Sequence, residues 1–220
     1  MGSALRTRVY VPTRGTVWHE TADHLTRFGA AAGLGFPTYV QNNTGVSIVR
    51  NTIVADFLQT DGEVLLFCDD DVVPNENFPR LVEHIAEGRA DVCAGIAPIV
   101  QEGTMILPNV FVLVNGKYTI RVVDFWREGL HEVDAVGCGI MAIHRRVLED
   151  KRMKTPFRAL LKNDGTWEHG EDVEFCRRAR LAKFKVCADF DILNEHRITI
   201  HANSVAKAYW DTFNSMEPLR

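Results

Sequence analysis

The sequence predicts an α/β fold in which helices flank a mostly parallel sheet. Over the first half of the 220 residues, short strand-like runs alternate with helical patterns, and the loops between them are short. The run "EVLLFC" at 63–68 is a continuous apolar stretch bounded by turn residues, which is typical of a central strand covered on both faces. With 46% hydrophobic and 25% charged residues, the composition fits one globular domain over residues 1–220.

Each element has a local signal. In "TRVYVPTRG", Val9 and Val11 alternate along a strand before Pro12 and Gly15 end it. "WHETADHLTRFGAAAG" predicts a helix, "PTYVQNN" a second strand and loop, and "SIVRNTIVADFLQTDG" a helix whose apolar side begins with Ile48. The remaining segments are, in chain order, a helix in "NFPRLVEHIAEG", a strand in "ADVCAGIAPIV", an Asn-Gly hairpin in "NVFVLVNGKYTIRVVDF", a strand and helix start in "HEVDAVGCGIMAIHRRVLED", and a helix and strand in "EHGEDVEFCRRARLAKFKVCAD".

Three polar segments follow strands and should meet at one edge of the sheet: Pro12–Gly15, Gln41–Thr44 and Asp69–Asp71. Ligands of open α/β sheets bind beyond the carboxyl ends of the strands, so we expect the binding site there. Three adjacent carboxylates repel one another unless a cation lies among them. Asp69 and Asp71 project to the same side and offer the hard oxygen ligands that Mg²⁺ or Mn²⁺ prefers. A surface acidic turn or a set of helix caps is the alternative.

Three other features carry possible chemistry. Glu171 and Asp172 open an amphipathic helix, where the helix dipole favours negative charge and where a carboxylate in a cleft can act as a general base. Gly137 and Gly139 precede an apolar strand and permit close backbone approach, although their spacing is not a dinucleotide fingerprint. His196 follows a strand-like run and is either a packed histidine or a metal ligand.

The charge distribution and the cysteine content limit which ligands and which cellular compartment we expect. The formal net charge is −4, but residues 1–143 hold 10 Lys and Arg against 17 Asp and Glu, whereas residues 144–185 hold 12 against 7. This asymmetry leaves room for an anionic ligand, with a solvated helix surface as the alternative. The cysteines are odd in number, widely spaced and without zinc spacing, so we expect free thiols. With no signal peptide and no apolar run of the about 20 residues that span a bilayer, we expect no membrane partner and a cytoplasmic protein, a host cell's cytoplasm included.

Taken in chain order, these segments resemble a glycosyltransferase of the GT-A fold, most like family 2. The resemblance runs from about residue 7 to residue 200 and is carried by "VPTRG", an "RN" pair, the DxD motif in "LLFCDDDVVP", "VDAVGCGIMAIHRRVLE", the ED motif in "GEDVEFCRRAR" and a late histidine. It implies a single Rossmann-like domain, with a nucleotide-sugar half at about 7–100 and an acceptor-side half at about 101–205. Small viral or bacterial transferases have a similarly compact build.

The resemblance also implies residue roles. A Mn²⁺ or Mg²⁺ ion would bridge the phosphates of a nucleotide sugar, expected to be a UDP-sugar, on Asp69, Asp71 and His196, with His201 as a fallback. The expected nucleotide-sugar-binding residues are Pro12, Thr13, Arg14, Asn42, Arg50, Asn51, Asp69, Asp70, Gly137, Cys138 and Gly139. Asp172, with Glu171 second, would deprotonate an acceptor hydroxyl, and attack opposite the diphosphate would invert the anomeric centre.

The acceptor stays open between a saccharide, a protein side chain, a small molecule and a hydroxymethylated DNA base. A basic stretch that includes Arg145, Arg146, Lys151, Arg152, Lys154, Arg158 and Lys162 lies near the expected acceptor side and keeps the last of these among the hypotheses. The loop "YVQNNTG" departs from the family in carrying amides where many members have an acidic residue, which weakens the assignment of the nucleotide. A nucleotidyltransferase and a non-catalytic sugar- or nucleotide-binding module are the alternative functions.

Overall fold

The computed structural model describes residues 5–41, 43–101, 105–120, 127–161, 164–165 and 167–197. The helices are α1 (His19–Ala31), α2 (Val46–Phe57), α3 (Arg80–Ala86), α4 (Arg145–Glu149) and α5 (Glu171–Leu181), with a 3₁₀ turn at Lys151–Met153. The strands are β1 (Thr7–Thr13), β2 (Thr38–Gln41), β3 (Val64–Cys68), β4 (Val72–Val73), β5 (Val92–Ile96), β6 (Ile99–Gln101), β7 (Met105–Leu107), β8 (Val110–Val114), β9 (Lys117–Ile120), β10 (Leu130–Glu132), β11 (Ala135–Val136), β12 (Ile140–His144), β13 (Leu160–Leu161), β14 (Trp167–His169), β15 (Val186–Leu193) and β16 (Glu195–His196).

Seven strands form the central sheet, in the order β10-β15-β5-β12-β3-β1-β2. β1 pairs in parallel with β2 and β3, and β5 pairs in parallel with β15. The predicted α/β fold with a mostly parallel sheet is therefore confirmed. Two strands run the other way: β12 lies between β3 and β5 in the middle of the sheet, and β10 lies at one edge.

The central strand β3 is buried along its whole length, as its continuous apolar run predicts. One apolar layer packs on the face that includes Phe67, and a second packs on the face that includes Leu66. The helix α2 contributes Ile53 and Phe57 to the first layer, but Ile48 is 52% exposed. Ile48 therefore does not share the side of Ile53 and Phe57 that the pattern predicts, and the buried side of the helix includes Arg50, which pairs with Asp69 and Glu171.

Two smaller predictions are confirmed. The Asn-Gly hairpin joins β8 to β9, and both Asn115 (φ 49°) and Gly116 (φ 78°) adopt the left-handed conformation that such two-residue turns require. All five cysteines are buried and unpaired. In the described part of the chain, no helix combines the length and the apolar character needed to cross a bilayer.

Arg178 on α5 holds an irregular segment in place. Its guanidinium donates four hydrogen bonds to backbone carbonyls of residues 152–156, at 2.5–3.2 Å. The side chain is only 9% exposed, and burial lowers its pKa. Carbonyls that lie outside regular structure need such partners when they are withdrawn from water.

We expect Arg178→Met to destabilise the protein by about 3 kcal/mol, since the substitution leaves several partly buried carbonyls without donors. Denaturant unfolding would measure the loss. Arg158→Met is the matched control, because Arg158 is 55% exposed and its ion pair among the described residues is a long contact of 3.6 Å with Glu174. Equal effects of the two substitutions would contradict this role of Arg178.

Candidate functional site

A cavity of about 970 Å³ opens at the carboxyl ends of β1 and β3. The three loops predicted to meet there do so, and the cavity is the size of a ligand site. Its polar lining includes Thr13, Arg14, Asn43, Thr44, Asp69, Asp70, Asp71, His196 and Arg197. Its apolar lining includes Pro12, Trp18, Val46, Val49, Ile99 and Val100.

The aspartate cluster turns the chain away from the sheet. The amide of Asp69 still donates to the carbonyl of Gly139 at 2.9 Å, and the chain then folds back so that Val72 N–H donates to Asp69 O at 3.2 Å. The Asp70 carboxylate accepts from the backbone N–H of Arg14 at 3.3 Å. This contact ties the loop after β1 to the aspartate cluster, so both belong to one cavity wall.

Arg50 links the two acidic motifs of the sequence. One terminal nitrogen, Nη2, donates to both oxygens of Asp69 at 2.8 and 2.9 Å, and Nη1 donates to Glu171 Oε1 at 2.6 Å. The Arg50 side chain is 4% exposed and is not part of the cavity lining. We expected Arg50 to reach the nucleotide pocket or the diphosphate. Its guanidinium instead lies inside the protein, where the two carboxylates compensate its buried charge.

The Asp69 carboxylate of this network remains costly to ionise. Burial raises the pKa of Asp69 to about 6; Arg50 opposes this rise, and Asp71 and Asp70 add to it. Burial acts against the charge of Arg50, but the neighbouring carboxylates outweigh it and hold its pKa above the usual value. One arginine therefore offsets only part of the charge of the cluster, and a further cation at Asp71 would lower the remaining cost.

A short antiparallel pair, β4 with β16, brings His196 to the cluster. His196 Nε2 lies 3.4 Å from Asp71 Oδ2, and Nδ1 lies 2.7 Å from the carbonyl of Pro98. A carbonyl only accepts, so Nδ1 carries a hydrogen, and Nε2 either donates to Asp71 when the ring is protonated or offers a lone pair to a metal when the ring is neutral. The hydrogen bond with Asp71 raises the pKa of His196.

These groups fit a divalent ion that has few protein ligands. Among the described residues, no cluster of three or more His, Cys, Asp and Glu side chains is arranged to hold a metal. Asp69 is engaged by Arg50 and Asp70 by the Arg14 N–H, so Asp71 and His196 are the candidate donors in the described part of the chain. Mg²⁺ and similar ions commonly use one or two protein ligands and complete their shell with water and substrate phosphates. The donor set therefore suits a metal that completes its shell with water or with oxygens of a ligand.

The two acidic residues at the start of α5 differ in their surroundings. Glu171 is 12% exposed and is held by Arg50. Asp172 Oδ1 accepts from Val173 N–H at 2.7 Å. A Cβ placed on Gly137 would lie 3.3 Å from Asp172 Oδ2, so this glycine lets the backbone approach the carboxylate. No ion pair to Asp172 occurs among the described residues, which leaves it the freer proton acceptor of the two.

Four other expected binding residues do not line the cavity. Asn51 uses its amide on the backbone of Phe157, donating at 2.6 Å and accepting at 3.1 Å. Gly137 packs on Asn109, and a Cβ on Gly139 would lie 2.9 Å from Ala97. Cys138 is 2% exposed, and burial raises the pKa of its thiol well above the usual value. These four residues therefore pack against other parts of the protein and not against the cavity. Asn42 and His201 lie outside the described residues.

The fold of this chain is similar to that of several solved structures. Among solved structures, protein A197 from STIV matches with a TM-score of 0.60 and 22% identity, over 89% of this chain and 87% of that chain. GalNAc-T7, a GT-A glycosyltransferase solved with UDP, GalNAc and Mn²⁺, matches with a TM-score of 0.58 and 12% identity, over 96% of this chain. The fold is GT-A-like.

The likeness shows the fold alone at these identities. This chain spans 49% of the GalNAc-T7 chain, about half its length. No family model and no curated protein matches the sequence.

The basic stretch expected to favour a nucleic-acid acceptor is largely compensated within the protein. Its four arginines all have partners. Arg145 donates to the carbonyls of Leu58, Thr60 and Gly62. Each of the other three contacts a carboxylate: Arg146 that of Asp91, Arg152 that of Asp150 and Arg158 that of Glu174. Lys162 lies outside the described residues. These contacts occupy the arginines but leave Lys151 and Lys154 exposed, and the nucleic-acid acceptor stays a prediction.

Trp18 and Arg197 are among the cavity residues that the sequence did not single out. Trp18 is 50% exposed, and its backbone N–H donates to Asp70 O at 3.2 Å. Arg197 directly follows His196, and its backbone N–H donates to Asp71 O at 2.7 Å. Trp18 could have been found as an aromatic residue just beyond the loop after β1. No sequence signal marks Arg197, since its position depends on the pairing of β16 with β4.

Proposed function

We propose that this chain is a metal-dependent glycosyltransferase that moves a sugar from a nucleotide-diphosphate sugar, expected to be a UDP-sugar, to an acceptor hydroxyl. The observation that carries the proposal is the Arg50 bridge. It joins the aspartates at the end of β3 to the acidic start of α5 in one charge network beside the cavity. A donor site and a base for the acceptor must lie side by side in such an enzyme.

On the donor side, Asp71 and His196 would hold Mn²⁺ or Mg²⁺, and the loop of Pro12, Thr13 and Arg14 would line the nucleotide pocket. When bound, the ion would supply positive charge to the leaving diphosphate. Asp69 would keep its bidentate contact with Arg50 and fix the end of β3. Asp70 would hold the loop after β1 through the Arg14 amide.

On the acceptor side, Asp172 would take the proton of the attacking hydroxyl. The hydroxyl oxygen forms a bond to the anomeric carbon while the bond from that carbon to the diphosphate oxygen breaks. Attack from the face opposite the leaving group inverts the anomeric centre. Glu171 would act through Arg50 as a positioning residue, since its carboxylate is already ion-paired.

The test is release of nucleoside diphosphate from a panel of nucleotide sugars in the presence of Mn²⁺. We expect slow hydrolysis of one donor, with water replacing the acceptor, and a loss of about a hundredfold or more in Asp71→Ala. Glu76→Gln is the matched control, because Glu76 is exposed in the loop after β4 and lies outside the cavity lining. The absence of release from every donor, or equal rates in Asp71→Ala and the wild type, would contradict the proposal.

A further inference from the structure

A second cavity, of about 960 Å³, shares no lining residue with the first. Its walls come from β9, β14, the C-terminal half of α5 and residues 183–185. It is as large as the cavity at the aspartate cluster, and nothing in the proposed transfer reaction uses it. A cavity of this size accommodates a ligand of several hundred Å³.

The lining of this cavity is strongly basic. Five cationic side chains, Lys117, Arg177, Arg180, Lys183 and Lys185, face two carboxylates, Glu132 and Glu168. Carboxylates outside the cavity lining neutralise part of the charge of the two arginines: Glu174 contacts Arg177 at 2.7 Å, and Asp134 contacts Arg180. The three lysines have no salt bridge within the part of the chain that the structure describes. Like charges around one cavity repel unless an anion lies among them.

Lys183 occupies a backbone position that normally belongs to glycine. At the end of α5, Phe184 N–H donates to Ala179 O and Lys183 N–H donates to Arg180 O, which is the Schellman arrangement. The residue between, Lys183, has φ +70°, in the left-handed region where a Cβ is unfavourable. Glycine would be more stable here, so the lysine side chain at this position requires another explanation.

Apolar and aromatic groups complete the cavity. Tyr118 and Phe184 are half-buried in its wall, and Leu181 is 65% exposed beside them. Ammonium groups bind phosphate as point charges, and ring side chains pack against the organic group that a phosphate ester carries. We propose that this cavity binds a phosphate-bearing ligand, with Lys183, Lys185 and Lys117 contacting the phosphate. The proposal is independent of the proposed glycosyl transfer.

The test measures binding of two probes, inorganic tripolyphosphate and a short deoxythymidine oligonucleotide, by calorimetry at low salt with EDTA present. Lys183→Gly is the main variant. We expect it to weaken binding about tenfold and at the same time to raise Tm by about 2 °C. A gain in stability together with a loss of binding cannot come from misfolding. Lys185→Gln should weaken binding to a similar extent.

Two variants serve as controls, and both should bind as the wild type does. Lys151→Gln and Lys154→Gln each remove an exposed lysine that lies outside both cavities. Tighter binding of the oligonucleotide would assign the phosphate to a phosphodiester chain, and tighter binding of tripolyphosphate to a free phosphate compound. Absence of binding by both probes, unchanged affinity in Lys183→Gly, or an equal loss in either control would overturn the proposal.

Discussion

Asp172→Asn should lower hydrolysis and transfer of the donor sugar by about a hundred- to ten-thousand-fold, the range of general-base catalysis. The amide keeps the size of the side chain and an oxygen that accepts from Val173 N–H, but it cannot take a proton. Because Asp172 makes no ion pair within the described residues, the fold and the affinity for the nucleoside diphosphate should stay unchanged. The rate loss should therefore appear in kcat.

The measurement is the rate of diphosphate release, with diphosphate binding determined alongside. Glu171→Gln is the informative companion, since it removes charge next to Asp172 but leaves the proposed base in place. We expect this variant to lose stability and some activity through Arg50, and to keep a rate well above that of Asp172→Asn. The reverse order of rates would transfer the role of base to Glu171.

Arg50→Met should lower the free energy of unfolding by about 3–5 kcal/mol, the cost of removing one partner from a buried ion pair. The substitution leaves Asp69 and Glu171 facing each other without the guanidinium that holds both. Arg50→Lys should fall between the wild type and Arg50→Met, because a single ammonium replaces a fork that contacts two carboxylates. Denaturant unfolding in EDTA would measure both losses.

The loss in Arg50→Met should depend on pH. In the folded protein the pKa of Asp69 is raised from 3.8 to about 6, so its ionisation opposes folding as pH rises through that value. Without Arg50 the folded-state pKa rises further, and the deficit of the variant grows with pH above about 6. Below that pH, Asp69 takes up a proton and the deficit shrinks. A deficit that is constant with pH would show that Arg50 stabilises the fold by packing alone.

Much of the fold could be predicted from the sequence, because local patterns decide it. The buried run of β3, the Asn115-Gly116 turn and the alternation of strands and helices each depend on neighbouring residues. The position of β12, antiparallel between β3 and β5, could not be predicted in this way. Strand order depends on contacts between distant segments, and an apolar strand carries no mark of its direction.

The same distinction separates the parts of the site. The aspartates lie at the end of a strand, so their place at the carboxyl edge followed from the pattern. Arg50 has two carboxylate partners, Asp69 at 19 residues and Glu171 at 121 residues along the sequence. Only the folded chain brings the three side chains together. The surroundings of Arg145 could not be predicted for a related reason. A sequence shows the charge of Arg145 but not the carbonyls that it caps.

Calorimetric titration with a set of nucleoside diphosphates, with and without Mn²⁺, tests the central claim most directly. The proposed function predicts that one diphosphate, expected to be UDP, binds only when Mn²⁺ is present. It also predicts that Asp71→Asn loses this binding while Glu76→Gln keeps it. If no nucleoside diphosphate binds with the metal, or if binding is the same in Asp71→Asn, the aspartate cluster is a structural feature of a GT-A-like fold and not a donor site.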